Sequence, residues 1–366
     1  MSDFASRAIA QRPVSAFLPG ASGITTAKIS ATNYLICMQE KPPEKTIEQE
    51  RWPELSFRFL LSTHGSGREI RKFEKLLEKA DVYAPEFVGL DAEDRIEIRK
   101  LSDNKVTLEE FLDKFTSKYE KYGAKKIFGA GRFFYEMVRS LAGSKKPLMF
   151  IDMPKESIES LADIRKLNDA AKQFEGGKFE QSLINLRKIL QDLVNKNVIG
   201  RERFIVENLK ENAGELFATY PELILKKRLQ ILITFGSIHT TLYHDIKRTF
   251  PKADVSREFN FMPYIYATVH EAARKLMFGK PLEEETLARA ILGLILIIRI
   301  LQKLQPNDSE AVALAERKIV SKLTIAEIKT ISQRIGSGTP LEKALKEGNV
   351  ALPATEEEFN KLIGRG

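Results

Sequence analysis

Four hydrophobic, strand-like segments of this chain each lead into an ionisable side chain, and this pattern constrains the fold more than any other feature. The residues that follow these segments are two histidines and two carboxylates: His64, Glu86, Asp152 and His239. In an open α/β sheet, ligands bind outside the carboxyl ends of the strands. These four side chains are therefore expected to converge on one site, although they are far apart in the sequence.

The pattern between these segments is helical, which predicts an α/β fold. We predict strands at Asn33–Met38, Phe57–Ser62, Val82–Phe87, Pro147–Ile151 and Leu229–Phe235. Apolar residues recur at helical spacing over residues 68–80, so the second and third strands form a strand-helix-strand unit that argues for parallel pairing. Thr107 and Glu110 make a capping-box pattern that opens a further helix. The predicted class is α/β with a mixed or mostly parallel sheet.

Three regions are predicted along the chain. Residues 1–30 form a loose N-terminal arm, and residues 31–250 form the α/β core, with a helical insertion at about 155–225. Residues 251–366 form a helical C-terminal segment that either covers one face of the sheet or mediates oligomerisation. Within it, Leu287–Leu301 is apolar nearly all round, which is typical of a fully buried helix.

Composition indicates an ordinary globular chain without a clear nucleic-acid motif. The net charge of +8 is spread along the 366 residues rather than concentrated in a block. A single cysteine, Cys37, excludes an internal disulfide and agrees with a reducing, cytoplasmic location. The longest apolar run, residues 290–298, is far shorter than the roughly 20 residues that a membrane helix needs. We therefore predict no transmembrane helix.

Five short motifs around the strand ends occur in a characteristic order over residues 57–248. They are Leu61-Ser-Thr-His64, Glu86, Asp152-Met-Pro154, Arg201-Glu-Arg-Phe-Ile205 and Gly236-Ser-Ile-His239. In this order and rough spacing the chain resembles the TraB/TIKI superfamily, which also includes erythromycin-esterase-like and ChaN-like proteins. Leu61, Met153 and Glu202 depart from the glycine, arginine and aspartate usual at these positions.

The resemblance implies a hydrolase of a peptide or ester bond, acting on a peptide or small-molecule substrate. TIKI-like members are divalent-metal-dependent proteases, erythromycin-esterase-like members activate water with a His and a Glu without an established metal, and ChaN-like members bind haem. On this basis His64, Glu86, Arg201 and His239 are the candidate catalytic residues. Two histidines and a carboxylate also form a plausible three-ligand site, so His64, Glu86 and His239 are candidate ligands of Mn, Co or Zn. Arg201 is expected to orient the substrate.

Each motif also has a plainer interpretation. The departures at Leu61 and Met153 are compatible with a non-catalytic binding or interaction protein that retains the fold. Asp152 is also typical of a turn cap. His270-Glu-Ala-Ala-Arg274 lacks the second histidine of a zinc-protease helix, so His270 is expected to be structural. His244 lies five residues after His239, off the same helical face, and is expected to be peripheral.

Overall fold

The strands form one parallel sheet. The computed structural model describes residues 52–62, 67–87, 89–120, 131–154, 157, 164–259, 265–305 and 308–365. The strands are β1 (Glu54–Ser62), β2 (Val82–Ala84), β3 (Arg228–Gly236) and β4 (Asp254–Phe259). They lie in the order β2-β3-β1-β4, and every neighbouring pair is parallel. The predicted α/β class with a mostly parallel sheet is confirmed.

Helices separate the strands and make up most of the remaining described chain. The first four are α1 (Gly67–Lys79), α2 (Ala92–Ser102), α3 (Leu108–Glu120) and α4 (Gly131–Leu141). Before β3 come α5 (Leu167–Glu175), α6 (Phe179–Leu193), a π-helical stretch (Val194–Gly200) and α7 (Arg201–Thr219). After β3 come α8 (Thr240–Thr249), α9 (Thr268–Met277), α10 (Glu284–Leu296), a second π-helical stretch (Ile297–Leu301), α11 (Gln302–Leu304), α12 (Ser309–Val320), α13 (Ile325–Gly336), α14 (Leu341–Glu347) and α15 (Glu356–Ile363).

Two of the predicted strands lie inside β1 and β3, and two others are shorter than predicted. β2 ends at Ala84 because the next residue, Pro85, has no N–H to continue the ladder. The segment 147–151 makes one isolated bridge to β2, in which the Met149 amide donates to the Tyr83 carbonyl at 3.0 Å. The predicted strand at Asn33–Met38 lies outside the described residues.

The order of the strands differs from the predicted strand-helix-strand pairing. β1 and β2 are parallel but do not pair directly, because β3 lies between them. β3 contains a long apolar run, and its central residues are buried on both faces of the sheet, as a central strand requires. β4, which no sequence pattern predicted, lies beyond residue 250. It is an edge strand with Val255 as its one fully buried residue, so its polar sequence gave no strand signal.

Each face of the sheet has its own hydrophobic core. Successive residues of a strand point to opposite faces, and in β1 Leu60 packs on one face while Phe59 and Leu61 pack on the other. The first core is completed by α1–α4 and the second by α7 and α8. The result is a three-layer arrangement in which α7 passes directly over the sheet.

The remaining helices form a separate core of their own. Helix α10 lies in this core together with α5, α6, α9 and α12–α15. The helical insertion is therefore divided, since α7 covers the sheet and α5 and α6 join the C-terminal helices. Both faces of the sheet are already covered by other helices, so the C-terminal segment does not occupy that position. α10 is buried on most sides, as predicted, although the predicted helix ends in a π-helical stretch. Among the described helices, none has the length and apolarity to cross a membrane.

A carboxyl group is buried in this helical core. Glu316 on α12 has no exposed surface, and its Oε2 accepts a hydrogen bond from the Thr268 amide at 3.1 Å. A Cβ on Gly293 would overlap the Glu316 carboxylate, so the glycine makes room for it. The Thr268 hydroxyl contacts both Glu316 Oε1 and the Arg289 carbonyl. A hydroxyl has only one proton, so both contacts are satisfied only when Glu316 is protonated. Burial raises the pKa of Glu316 to about 7.

We predict that the free energy of unfolding falls as the pH rises through the pKa of Glu316. The folded-state pKa, about 7, lies above the ordinary value of 4.5, so between these values the folded state binds the proton more tightly. Glutamine reproduces the protonated carboxyl and cannot ionise. Glu316→Gln should therefore exceed the wild type in stability by on the order of 3 kcal/mol at about pH 8 and much less at about pH 5.

Urea denaturation of both proteins over this pH range measures the difference. Glu342→Gln, on the exposed surface of α14, is the control and should follow the wild type. A stability difference between Glu316→Gln and the wild type that does not change with pH would contradict the prediction.

Candidate functional site

A buried arginine lies where the carboxyl ends of the strands meet. Arg201 is the first residue of α7, but the chain does not break before it. Gly200 has helical backbone angles (φ −62°, ψ −44°), so α6, the π-helical stretch and α7 form one continuous helical segment. At Gly200 the helix thus changes type from π to α without a break in the chain. π-helical turns are frequent at functional sites, and this one directly precedes Arg201.

The Arg201 guanidinium is held by two carboxylates. Its Nε and Nη2 donate to the two oxygens of Asp152 at 2.7 and 2.5 Å, a bidentate pair. Its Nη1 lies 3.0 Å from Glu86 Oε1. The side chain is only 9% exposed. Burial by itself lowers the pKa of Arg201, but the charges of Asp152 and Glu86 outweigh that effect and the pKa is raised. Arg201 is therefore a permanent cation in the interior.

His239 follows β3 and lies against the same guanidinium. Its Nε2 is 3.3 Å from Arg201 Nη1, and its Nδ1 is 3.1 Å from Glu202 Oε1. A guanidinium can only donate hydrogen bonds, so Nε2 must accept and Nδ1 must carry the proton that it donates to Glu202. The Thr241 hydroxyl donates to the other oxygen of Glu202. The geometry thus selects one neutral tautomer of His239, held by a buried carboxylate.

Glu86 is the most exposed member of the group. Its side chain is 17% exposed, against 4% for His239 and 2% for Glu202. Glu86 Oε2 accepts a hydrogen bond from the Gly236 amide at 2.5 Å, and Oε1 lies 3.8 Å from His239 Nε2. The Glu86 carboxylate therefore connects the end of β3, the arginine and the histidine to the surface.

The group carries an excess of negative charge. Asp152, Glu86 and Glu202 contribute three negative charges against one positive charge on Arg201, with His239 neutral. Uncompensated buried charges are costly, by several kcal/mol each. Arg201 is thus the cation on which the position of the carboxylates depends.

The structure brings together three of the four predicted catalytic residues. Glu86, Arg201 and His239 are in mutual contact, whereas His64 lies outside the described residues. Asp152 accepts a hydrogen bond from the amide of the next residue, Met153, at 2.8 Å, and its carboxylate pairs with Arg201. The sequence did not identify Asp152 as the main partner of Arg201.

Glu202 is the functional residue that sequence reasoning missed. It was noted only as a departure from the family pattern, yet it holds Nδ1 of His239. Its position beside Arg201 in the chain was the one available signal. Of the other described histidines, His244 lies on α8 next to Arg257, and His270 is exposed on α9.

The metal-binding hypothesis meets a specific obstacle here. Within the described ranges there is no group of three histidine, cysteine or acidic side chains placed to hold an ion. Arg201 Nη1 lies between Glu86 and His239, 3.0 Å from Glu86 Oε1 and 3.3 Å from His239 Nε2. An ion bridging the two ligands would lie about 2 Å from each of them, directly against this cationic nitrogen. The described donors therefore do not fit a divalent ion in this arrangement, and a role for His64 as a third ligand stays a prediction.

We predict that Arg201→Lys lowers the free energy of unfolding by about 3 kcal/mol, because one ammonium group cannot replace the fork that binds Asp152 together with Glu86. Urea denaturation gives the difference. Arg203→Lys makes the same change at an exposed position on the same helix and should alter stability by less than about 0.5 kcal/mol. Equal stability of Arg201→Lys and the wild type would show that the carboxylates do not depend on the fork.

The geometry of the site is the only support for its assignment. Comparison of the chain with protein-family models, curated proteins and solved structures finds no match. The resemblance to the TraB/TIKI superfamily consequently stays a prediction carried by the five motifs.

Proposed function

We propose that this protein is a hydrolase of ester or peptide bonds in which His239 activates water without a metal ion. The observation that carries this proposal is the contact between His239 Nδ1 and Glu202, which leaves Nε2 as the basic nitrogen. A neutral imidazole held in one tautomer by a buried carboxylate is the arrangement that general-base catalysis requires. Peptides and small esters are the proposed substrates, and a cytoplasmic location is proposed from the single cysteine.

The proposed reaction begins with deprotonation of water. Nε2 of His239 takes a proton from a water molecule as the water oxygen bonds to the substrate carbonyl carbon. The bond from that carbon to the ester oxygen or amide nitrogen then breaks, and the leaving group receives the proton from Nε2. Glu202 stabilises the imidazolium that exists between the two transfers.

The positions of Glu86 and Arg201 support this sequence. Among the described polar contacts of the guanidinium, the one between Arg201 Nη1 and His239 Nε2 is the longest, at 3.3 Å, so it is the one that a bound water displaces most easily. Glu86 Oε1 lies 3.8 Å from the same nitrogen and is partly exposed, so it can accept the second proton of that water in a hydrogen bond. Arg201 holds Glu86 in place. Four of its five N–H donors face described protein groups, which favours this holding role over the predicted orientation of substrate.

A second candidate function has one observation in its favour. The polar side chains of the site already satisfy one another, and the His239 side chain is only 4% exposed. Such a closed network suits a binding or interaction protein in which Arg201 serves stability alone. A panel of chromogenic esters and fluorogenic peptides separates the two candidate functions, because a non-catalytic binding protein would hydrolyse none of these substrates.

We predict that Glu202→Gln reduces kcat by about 10²- to 10⁴-fold with little change in KM, because glutamine no longer stabilises the imidazolium. Treatment with a chelator should leave turnover unchanged, since no metal ion takes part. His270→Gln removes an exposed histidine from α9 and is the control, with wild-type kcat expected. Full activity of Glu202→Gln, or loss of activity with the chelator, would contradict the metal-free mechanism.

A further inference from the structure

Two arginines near the start of α8 have no carboxylate partner among the described residues. Arg274 on α9 donates to the Thr240 hydroxyl at 2.6 Å, and Arg257 on β4 lies 3.5 Å from His244 Nε2. Neither arginine forms an ion pair with a carboxylate in the described part of the chain. Arg257 is exposed and Arg274 is half-buried, so solvent can reach both.

The neighbouring acidic side chains are committed elsewhere. Glu258 follows Arg257 in β4, but it points to the other side of the strand and pairs with Arg58 and Lys72. Glu271, one turn before Arg274 on α9, pairs with Arg317. The two positive charges therefore have no nearby compensation from these carboxylates.

Aromatic rings lie against both guanidinium groups. Arg274 lies 4.4 Å from the centre of the Tyr266 ring and 5.2 Å from that of Phe278, and Arg257 lies 4.8 Å from that of Tyr243. Such contacts orient a guanidinium without neutralising its charge. Thr240 and His244, which the two arginines contact, lie one turn apart on α8, so both cations lie along the same face of this helix. Burial raises the pKa of Tyr266 and outweighs the charges of Arg274 and Arg257, which act to lower it.

This cluster lies next to the candidate active site. Thr240, the residue that Arg274 contacts, directly follows His239 in the chain. It is the first residue of α8, which begins at the carboxyl end of β3. A group bound by Arg274 would thus lie beside the residue that carries the proposed base.

We propose that Arg257 and Arg274 bind a small oxyanion, a carboxylate or phosphate group, and that this group belongs to the substrate. Guanidinium groups match the geometry of both anions. The identification of the anion as part of a substrate rests on the proposed hydrolase function, whereas the anion site rests on the cluster alone.

Calorimetric titration of the full-length protein with inorganic phosphate, and separately with succinate, tests the site at constant ionic strength. The wild type should bind at least one of them saturably, and Arg257→Gln and Arg274→Gln should each bind it about tenfold more weakly. The anion that binds with the higher affinity shows whether the site prefers phosphate or carboxylate. Arg203→Gln removes the same charge from the exposed surface of α7 and should bind as the wild type does.

Absence of saturable binding of either anion, or unchanged affinity in Arg257→Gln and Arg274→Gln, would overturn the site. Arg257 lies on an exposed edge strand, so Arg257→Gln keeps the test decisive if Arg274→Gln fails to fold.

Turnover of two esters tests the link to the substrate. We expect the mono-p-nitrophenyl ester of succinate to have a lower KM than p-nitrophenyl butyrate, and Arg257→Gln to abolish that difference. Hydrolysis without any preference for the anionic ester would refute the assignment to the substrate. If neither ester nor any substrate of the wider panel is hydrolysed, the proposed hydrolase function fails, while the titrations still decide whether the anion site exists.

Discussion

The pairing of Arg201 with Asp152 is the interaction on which the rest of the site depends. A guanidinium that is 9% exposed requires anionic partners, and Asp152 supplies a bidentate one from the far side of β2. With its Nε and Nη2 fixed in this way, Nη1 has only one direction left, toward Glu86 and His239. The orientation of Arg201 in turn selects the tautomer of His239, and so determines which nitrogen can act as a base.

The same pairing explains why the sheet, the long helix and the segment after residue 147 must assemble together. Asp152 follows the segment that bridges to β2, Glu86 follows β2 itself, and His239 follows β3. Arg201 reaches all three from the helical segment that crosses one face of the sheet. Because parallel strands end at the same edge, one cation can serve the ends of several strands.

The helical core is linked to this edge through α9. Glu316 accepts a hydrogen bond from the first amide of α9, and Arg274 near the other end of that helix donates to Thr240. Ala267, which precedes α9, provides no side-chain cap, so a carboxyl group from α12 performs that role. The helical bundle therefore orients α9, and α9 presents Arg274 to the edge of the sheet.

Local patterns in the sequence were sufficient for the fold class and for much of its secondary structure. Helix α1, the capping box at Thr107 and the burial of α10 follow from side chains a few residues apart, which interact in any chain that forms that helix. The interiors of β1 and β3 were equally clear, because strands buried on both faces are continuously apolar. The sequence did not predict β4, because an edge strand carries polar residues. It also did not predict the early end of β2, because a strand can end at a single proline.

By itself, the sequence determined that the chain builds an α/β fold with a mixed or mostly parallel sheet and polar residues at its strand ends. Only the tertiary structure decided which of these charges meet. Arg201 and Asp152 are 49 residues apart, and His239 and Glu202 are 37 apart. Arg257 and Arg274 come to contact residues one turn apart on α8 only after β4 and α9 have packed. Hydrophobic periodicity reports which side of a segment is buried, whereas the pairing of charges depends on strand order and helix position, which no local pattern encodes.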